Sequence, residues 1–314
     1  MSLELILPFL QPIADLILDP SISEVMVNGS GRIFFERAGQ LQAAPDRTIP
    51  EQHLRIAVQN AARVLGDDIS DERPILDARL SDGSRVAAVL PPVSVGGTTL
   101  TIRKFQSQPF TADQLVRMGT LTADQLEILR QAIQARDNIL ISGGTGTGKT
   151  TLLSALVAFM PAQHRVGLIE DTAELQLKVD NLFRFEARRE QAGVPAITIR
   201  DLLRASLRHR PDRILVGEVR GEEAFDLLQA LNTGHAGTLS TIHANGAELA
   251  LRRFAWCVLV SGVDVPYPAI RYGLAECFQV LVHLERRGDR RLVTELVRVR
   301  RYDSGTDTYD LESL

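Results

Sequence analysis

The sequence predicts an α/β protein, with a mainly parallel sheet covered by helices on both faces and a smaller α+β domain ahead of it. Three observations carry this. From position 138 onward, short apolar runs alternate with stretches of helical periodicity, the rhythm of strand–helix–strand units. Before position 105 the strand-like runs come in pairs set apart by turn residues. Between these regions lies Gln106-Ser107-Gln108-Pro109-Phe110-Thr111-Ala112, polar and proline-bearing as linkers are. The chain is therefore divided into residues 1–105, a linker over 106–112, and a larger domain over 113–314.

At 314 residues, 45% hydrophobic and 24% charged, each domain can fill its own core. The first twenty residues, MSLELILPFLQPIADLILDP, are apolar but carry Glu4, Asp15, Asp19 and two internal prolines. They hold no basic leader and no apolar run of about twenty residues, so neither a signal peptide nor a membrane span is expected and the protein reads as cytoplasmic. Leu3, Leu7, Leu10 and Ile13 share one face of an amphipathic helix. That face either packs on its own domain or makes a peripheral contact with a membrane or partner. Strands follow at 24–28 and 32–36 around Gly29-Ser30-Gly31, a helix over 50–65 ending at Gly66, and strands at 85–90 and 98–103, the first led by Asp82-Gly83.

In the larger domain, helices are expected near 112–118 and over 123–135, the second opened by a Thr122…Gln125 capping box. Strands at 138–142, 166–170, 213–217 and 238–242 alternate with helices at 149–159, 198–208 and 222–231. Cys257 and Cys277 are far apart with apolar neighbours, the pattern of two buried free thiols in a reducing compartment. A net charge of −4 and few aromatics speak against strong direct binding of nucleic acid.

Four segments carry chemistry. Gly143-Gly144-Thr145-Gly146-Thr147-Gly148-Lys149-Thr150 satisfies GxxxxGK[ST], with an apolar strand before it and a helix after it. The glycines let backbone N–H groups surround phosphates, Lys149 neutralises their charge, and Thr150 offers a hydroxyl to Mg²⁺; Thr151 continues the anion-facing first turn. ATP and Mg²⁺ are thus the expected ligands. The apolar run Arg213–Gly217 ends in Glu218, placed to orient or deprotonate an attacking water; Glu222 and Glu223 read instead as acids favoured by a helix N-terminus. Leu168-Ile169-Glu170-Asp171-Thr172-Ala173-Glu174 sets Glu170 at another strand end, where it can hold Mg²⁺ through water, while Asp171 and Glu174 read as a capping pair. Gly234-His235-Ala236-Gly237-Thr238-Leu239-Ser240-Thr241-Ile242-His243 flanks a strand with two histidines. His243 is expected on the γ-phosphate side, and His235 is a weaker candidate for the same chemistry.

In this order, the four segments resemble the VirB11/TrbB/CpaF-type secretion and conjugation traffic ATPases. IEDTAEL looks like the Asp box of that family, GEVRGEEA its Walker B element and NTGHAGTLSTIHAN its His box. EVMVNGSGRIFFER and SRVAAVLPPVSVGGTTLTIRK are similar to its N-terminal domain, so the resemblance covers nearly the whole chain and is greatest to the conjugative TrbB branch. It implies a RecA-like ATPase domain behind a PAS-like one, a homohexameric ring, and work at the inner membrane alongside channel components and a coupling protein. The resemblance also places Arg85 and Arg103 where the family's N-terminal arginines reach the γ-phosphate, and sets Arg208 and Arg210 ahead of Walker B as looser candidates. A pilus assembly or retraction ATPase is the alternative, although pilus-retraction relatives usually continue Walker B into Arg-Asp where this chain has Arg220-Gly221. A RecA-like DNA motor fits the charge less well.

Overall fold

The computed structural model describes residues 6–314 apart from positions 30, 38, 65, 81–82, 106–109, 189 and 191–193. The chain forms two compact units, Met1–Ser107 and Gln108–Leu314. Most of the expected linker, and the expected turn residues Ser30 and Asp82, lie outside the described residues.

The first unit holds six antiparallel strands: β1 (Ile22–Val27), β2 (Ile33–Arg37), β3 (Gln40–Ala43), β4 (Ile75–Arg79), β5 (Arg85–Val89) and β6 (Thr99–Arg103), ordered β3-β2-β1-β6-β5-β4. The edge strands β3 and β4 were not expected; each is short, and partial burial blurs its alternation. Helix α2 (Glu51–Val64) buries Leu54, Ala57, Val58, Ala61 and Ala62, one stripe at helical spacing, against the sheet core. The N-terminal segment is not a regular amphipathic helix. It is a 3-10 segment, Leu7–Ile13, kinked at Leu10 and carrying Pro12, followed by the short α1 (Ala14–Leu18). Leu10 and Ile13 are fully buried in the unit's own core, so their apolar face is already covered. Leu3 lies outside the described residues.

The second unit is built on eight strands ordered β14-β13-β12-β7-β11-β10-β8-β9. Six of them run parallel: β7 (Ile139–Gly143), β8 (Val166–Glu170), β9 (Leu182–Glu186), β10 (Arg213–Val219), β11 (Leu239–Ile242) and β12 (Val280–Arg287). β13 (Arg290–Asp303) and β14 (Thr308–Ser313) continue the sheet antiparallel from β12. Alternate strand residues feed two cores. Leu140, Ile214, Val216 and Ile242 pack under α6 (Ile199–Ser206), α7 (Glu223–Asn232), α8 (Ala247–Val260) and α9 (Tyr267–Cys277). Ile139, Ile141, Leu168 and Leu215 pack under α3 (Ala112–Arg117), α4 (Ala123–Ala135) and α5 (Lys149–Val157). Helices thus cover both faces, as the period-2 burial of a doubly covered sheet requires.

The capping box of Thr122 and Gln125 forms as expected, and Thr111 with Gln114 makes a second one at α3. Cys257 and Cys277 are free and buried, and burial pushes the Cys277 thiol up to about 11. No helix among the described residues is long and apolar enough to cross a membrane.

Candidate nucleotide-binding site

Parallel strands present their carboxyl ends at one edge of the sheet, and the expected chemistry collects there. The chain leaves β7 at Gly143 and winds into α5 at Lys149. Gly146 and Gly148 take left-handed backbone, φ 71° and 95°, which residues bearing a Cβ rarely enter. A Cβ on Gly143 would stand 2.5 Å from the Leu284 carbonyl oxygen and 2.6 Å from the Thr147 hydroxyl. Thr147 donates to the Gly144 carbonyl at 3.0 Å and closes the loop, leaving Thr145 exposed at its tip. Thr150 and Thr151 sit half-buried in the first turn of α5, where free N–H groups and the helix dipole favour an anion.

Lys149 is buried, and its Nζ donates to the carbonyls of Gly143 (3.0 Å) and Gly144 (2.9 Å). The same ammonium lies 3.4 Å from Nδ1 of His243. An ammonium only donates, so Nδ1 must be the acceptor and the imidazole proton sits on Nε2. That nitrogen stands 2.8 Å from Oε1 of Glu218. Strand order explains the bridge, because β11, which leads directly into His243, lies between β7 and β10, which carries Glu218. Burial lowers the His243 pKa below its usual value, and Lys149, Arg220 and Arg253 add to this while the Glu218 carboxylate opposes it. Burial likewise depresses Lys149, with Glu218 opposing.

Glu218 is held from its other side as well. Oε2 accepts from Nε (2.8 Å) and Nη2 (2.6 Å) of Arg220, and Arg220 reaches Asp171 at 3.2 Å. Oε1 is different: it is buried, and no donor among the described residues meets it in hydrogen-bond geometry, since His243 approaches at contact distance but off line. An unsatisfied buried oxygen costs on the order of 1–3 kcal/mol.

Glu170 stands at the end of β8, next to β10, and is almost fully buried. Oε1 accepts from the backbone N–H groups of Glu174 and Leu175, each at 2.8 Å, and Oε2 from Arg184 at 3.1 Å. Burial raises its pKa, and these donors oppose the rise. Both oxygens are therefore engaged in shaping the loop after β8. No helix follows that strand directly, so Asp171 and Glu174 have none to cap; Asp171 pairs with Arg220 instead.

His235 is not brought to this cluster. It precedes β11 at the opposite, amino edge of the sheet and faces the Ala230 carbonyl at 3.3 Å. Arg208 and Arg210 also lie at the amino edge, ahead of β10. Arg85 and Arg103 belong to the first unit, directly opposite each other on β5 and β6. They form part of a charged row across one sheet face, with Arg79 beside Arg85 and Glu24 beside Arg103. Arg85 also approaches Asp77 at 3.6 Å. Arg220 is the participant that motif reading passed over. Its signal was its place two residues beyond Glu218, on the same side of an extended chain.

Residues 9–265 match the family model described as Type II/IV secretion system protein. The chain belongs to this family. Among relatives, this type II/IV secretion system protein is 36% identical over 288 residues to the conjugal transfer protein TrbB of Rhizobium radiobacter, covering 90% of this chain and 85% of the relative. It is 35% identical over 304 residues to the type IV secretion system protein VirB11 of Brucella suis, covering 88% of this chain and 84% of that one. Its fold resembles the Legionella pneumophila ATPase DotB, with a TM-score of 0.66 at 20% identity over 93% of this chain and 80% of the other.

Proposed function

We propose that this protein is a homohexameric, Mg²⁺-dependent ATPase that powers conjugative DNA transfer or type IV secretion from the cytoplasmic face of the inner membrane. Membership of the secretion family and the relatives named TrbB and VirB11 support the process. The observation that carries the chemistry is the contact chain Lys149–His243–Glu218 at the mouth of the glycine loop. The parallel order β12-β7-β11-β10-β8, with the loop after the central β7, supports a RecA-like reading of the second unit.

The loop N–H groups and Lys149 bind the phosphates, and to do so the ammonium exchanges its carbonyl partners for phosphate oxygens. Glu218 presents its undonated Oε1 to the attacking water and takes up its proton. His243, neutral with its proton on Nε2, lies against that carboxylate, limits its rotation and registers the position of Lys149. Among the described residues, no cluster of three or more His, Cys, Asp or Glu is arranged to hold a metal alone. Thr150 would hold a Mg²⁺ that accompanies the nucleotide, with Glu170 shaping the neighbouring loop. Mg²⁺ would supply charge neutralisation across the transferred phosphoryl group. Arg85 and Arg103 are proposed to provide the cationic fork toward the γ-phosphate, on the strength of the family resemblance. Secretion-channel and coupling components are the proposed partners.

The test is turnover. Purified Lys149→Ala and Glu218→Gln proteins are expected to lose ATP hydrolysis by at least about 100-fold. Wild-type rates in both would overturn the mechanism.

A further inference from the structure

The family match ends at position 265, and the antiparallel arm β12–β13 lies beyond it. That arm touches the glycine loop. β12 runs beside β7 in parallel register, with His283 opposite Ser142 and Leu284 opposite Gly143. It then continues past the end of β7, turns at Gly288 and returns with Arg291 opposite Arg286. The Nε of Arg291 donates to the Gly146 carbonyl at 3.0 Å. Its Cδ lies so close to Gly148 that a Cβ there would be 3.3 Å away. The side chain thus lies along the loop from Gly148 to Gly146. Among the described residues Arg291 has no carboxylate partner, because Glu285 on the facing strand is engaged by Arg287 at 2.8 Å.

Strand order gives this contact a direction. β11, which leads into His243, and β10, which carries Glu218, lie on one side of β7, and β12–β13 lies on the other. A polyphosphate held across the loop has its hydrolysed end toward Glu218. Its nucleoside end then faces the arm. The tip of the arm carries Arg286, Arg287, Arg290 and Arg291 against Glu285 and Asp289, a net positive field beside a phosphate-binding loop.

We propose that Arg291 is a nucleotide-binding residue: Nε braces the loop at Gly146, and the terminal nitrogens take the α-phosphate of a bound nucleoside di- or triphosphate. The forked guanidinium suits this division, since its donors diverge in a fixed plane. The inference rests on the ATPase reading and adds to it a contact that ADP and ATP share.

Arg291→Gln separates the two roles. The amide nitrogen of glutamine stands as many bonds from Cα as the Nε of arginine, so it keeps the donor to Gly146 and removes the fork and its charge. Dissociation constants of the full chain for Mg²⁺-ADP and Mg²⁺-ATP are measured by titration calorimetry, with steady-state hydrolysis alongside. Arg291→Gln and Arg291→Ala are both expected to weaken ADP and ATP by the same factor, about 10- to 100-fold, the range of a lost charge-assisted hydrogen bond. KM should rise in parallel while kcat at saturation stays within about 2-fold. Wild-type affinity in Arg291→Gln would reduce the residue to a brace and overturn the proposal, as would a loss confined to ATP or a fall in kcat at constant KM. If Arg291→Ala does not fold, Arg291→Gln alone decides. A wild-type chain that binds neither nucleotide would overturn the ATPase reading and this contact with it, whereas wild-type binding with an unaffected Arg291→Gln overturns this contact alone.

Discussion

The ammonium of Lys149 lies 3.4 Å from Nδ1 of His243, and this contact fixes the tautomer of the imidazole that stands against Glu218. His243→Ala is expected to lower kcat by about 10- to 100-fold, because Glu218 loses the neighbour that orients it. Phosphate binding by the loop itself is retained, so the dissociation constant for Mg²⁺-ADP should change by no more than a few-fold. Hydrolysis kinetics and calorimetry on the same preparation check both halves. A wild-type kcat would remove His243 from the mechanism.

Arg220 holds Oε2 of Glu218 through two nitrogens and ties it to Asp171. Arg220→Ala should leave Glu218 free to rotate. The expected result is a fall in kcat of about 10-fold with little change in KM, read from initial rates across ATP concentrations. Because the Arg220 side chain is 58% exposed, its loss should leave the unfolding temperature nearly unchanged.

Gly237 precedes β11 with φ 84°, and a Cβ there would meet Nη1 of Arg213 at 1.6 Å. Arg213 is fully buried and donates to the carbonyls of Ile133 (2.8 Å) and Gly237 (3.3 Å) and to Nδ1 of His164 (3.2 Å). Burial, with Arg136 adding to it and Asp212 opposing, pulls its pKa to about 10. Gly237→Ala both strains the backbone and displaces this guanidinium, at a cost of roughly 3 kcal/mol or more. Thermal unfolding should show a Tm lower by about 6–12 °C.

His283 is buried beneath the loop, its Nδ1 2.9 Å from the Ser142 hydroxyl. Burial depresses its pKa below the ordinary 6.5 and Lys149 adds to this, while Glu295 and Glu285 oppose it. The unfolded chain therefore binds a proton that the folded chain resists. The contribution is fully present above pH 6.5 and is lost as pH falls through the lower folded value. Denaturant melts between pH 5 and pH 8 should show stability falling on the acid side. His283→Gln should flatten that slope, and an unchanged slope would assign it to other groups.

Much of the second unit was legible because local and global signals agree. The strand–helix alternation, the capping box at Thr122 and the glycine loop are each written in contiguous residues. The edge strands β3, β4 and β9 were not, since an edge strand keeps both faces partly wet and loses its alternation. The N-terminal leucines read as an amphipathic face, but periodicity does not say what an apolar face packs against, and here it is the unit's own core. His235 and His243 looked like a pair by composition. They stand at opposite ends of one strand, and a strand separates the groups at its two ends.

By itself, the sequence determined the glycine loop, the carboxylate near the end of β10 and the family, because each is set by residue type at short spacing. Tertiary structure alone decided which of those residues meet. Placing β11 between β7 and β10 put His243 between Lys149 and Glu218. Placing β12 on the other side of β7 brought Arg291 to Gly146, 145 positions away in the chain. No local spacing encodes either contact, because sheet order is settled by how the strands and their covering helices pack together.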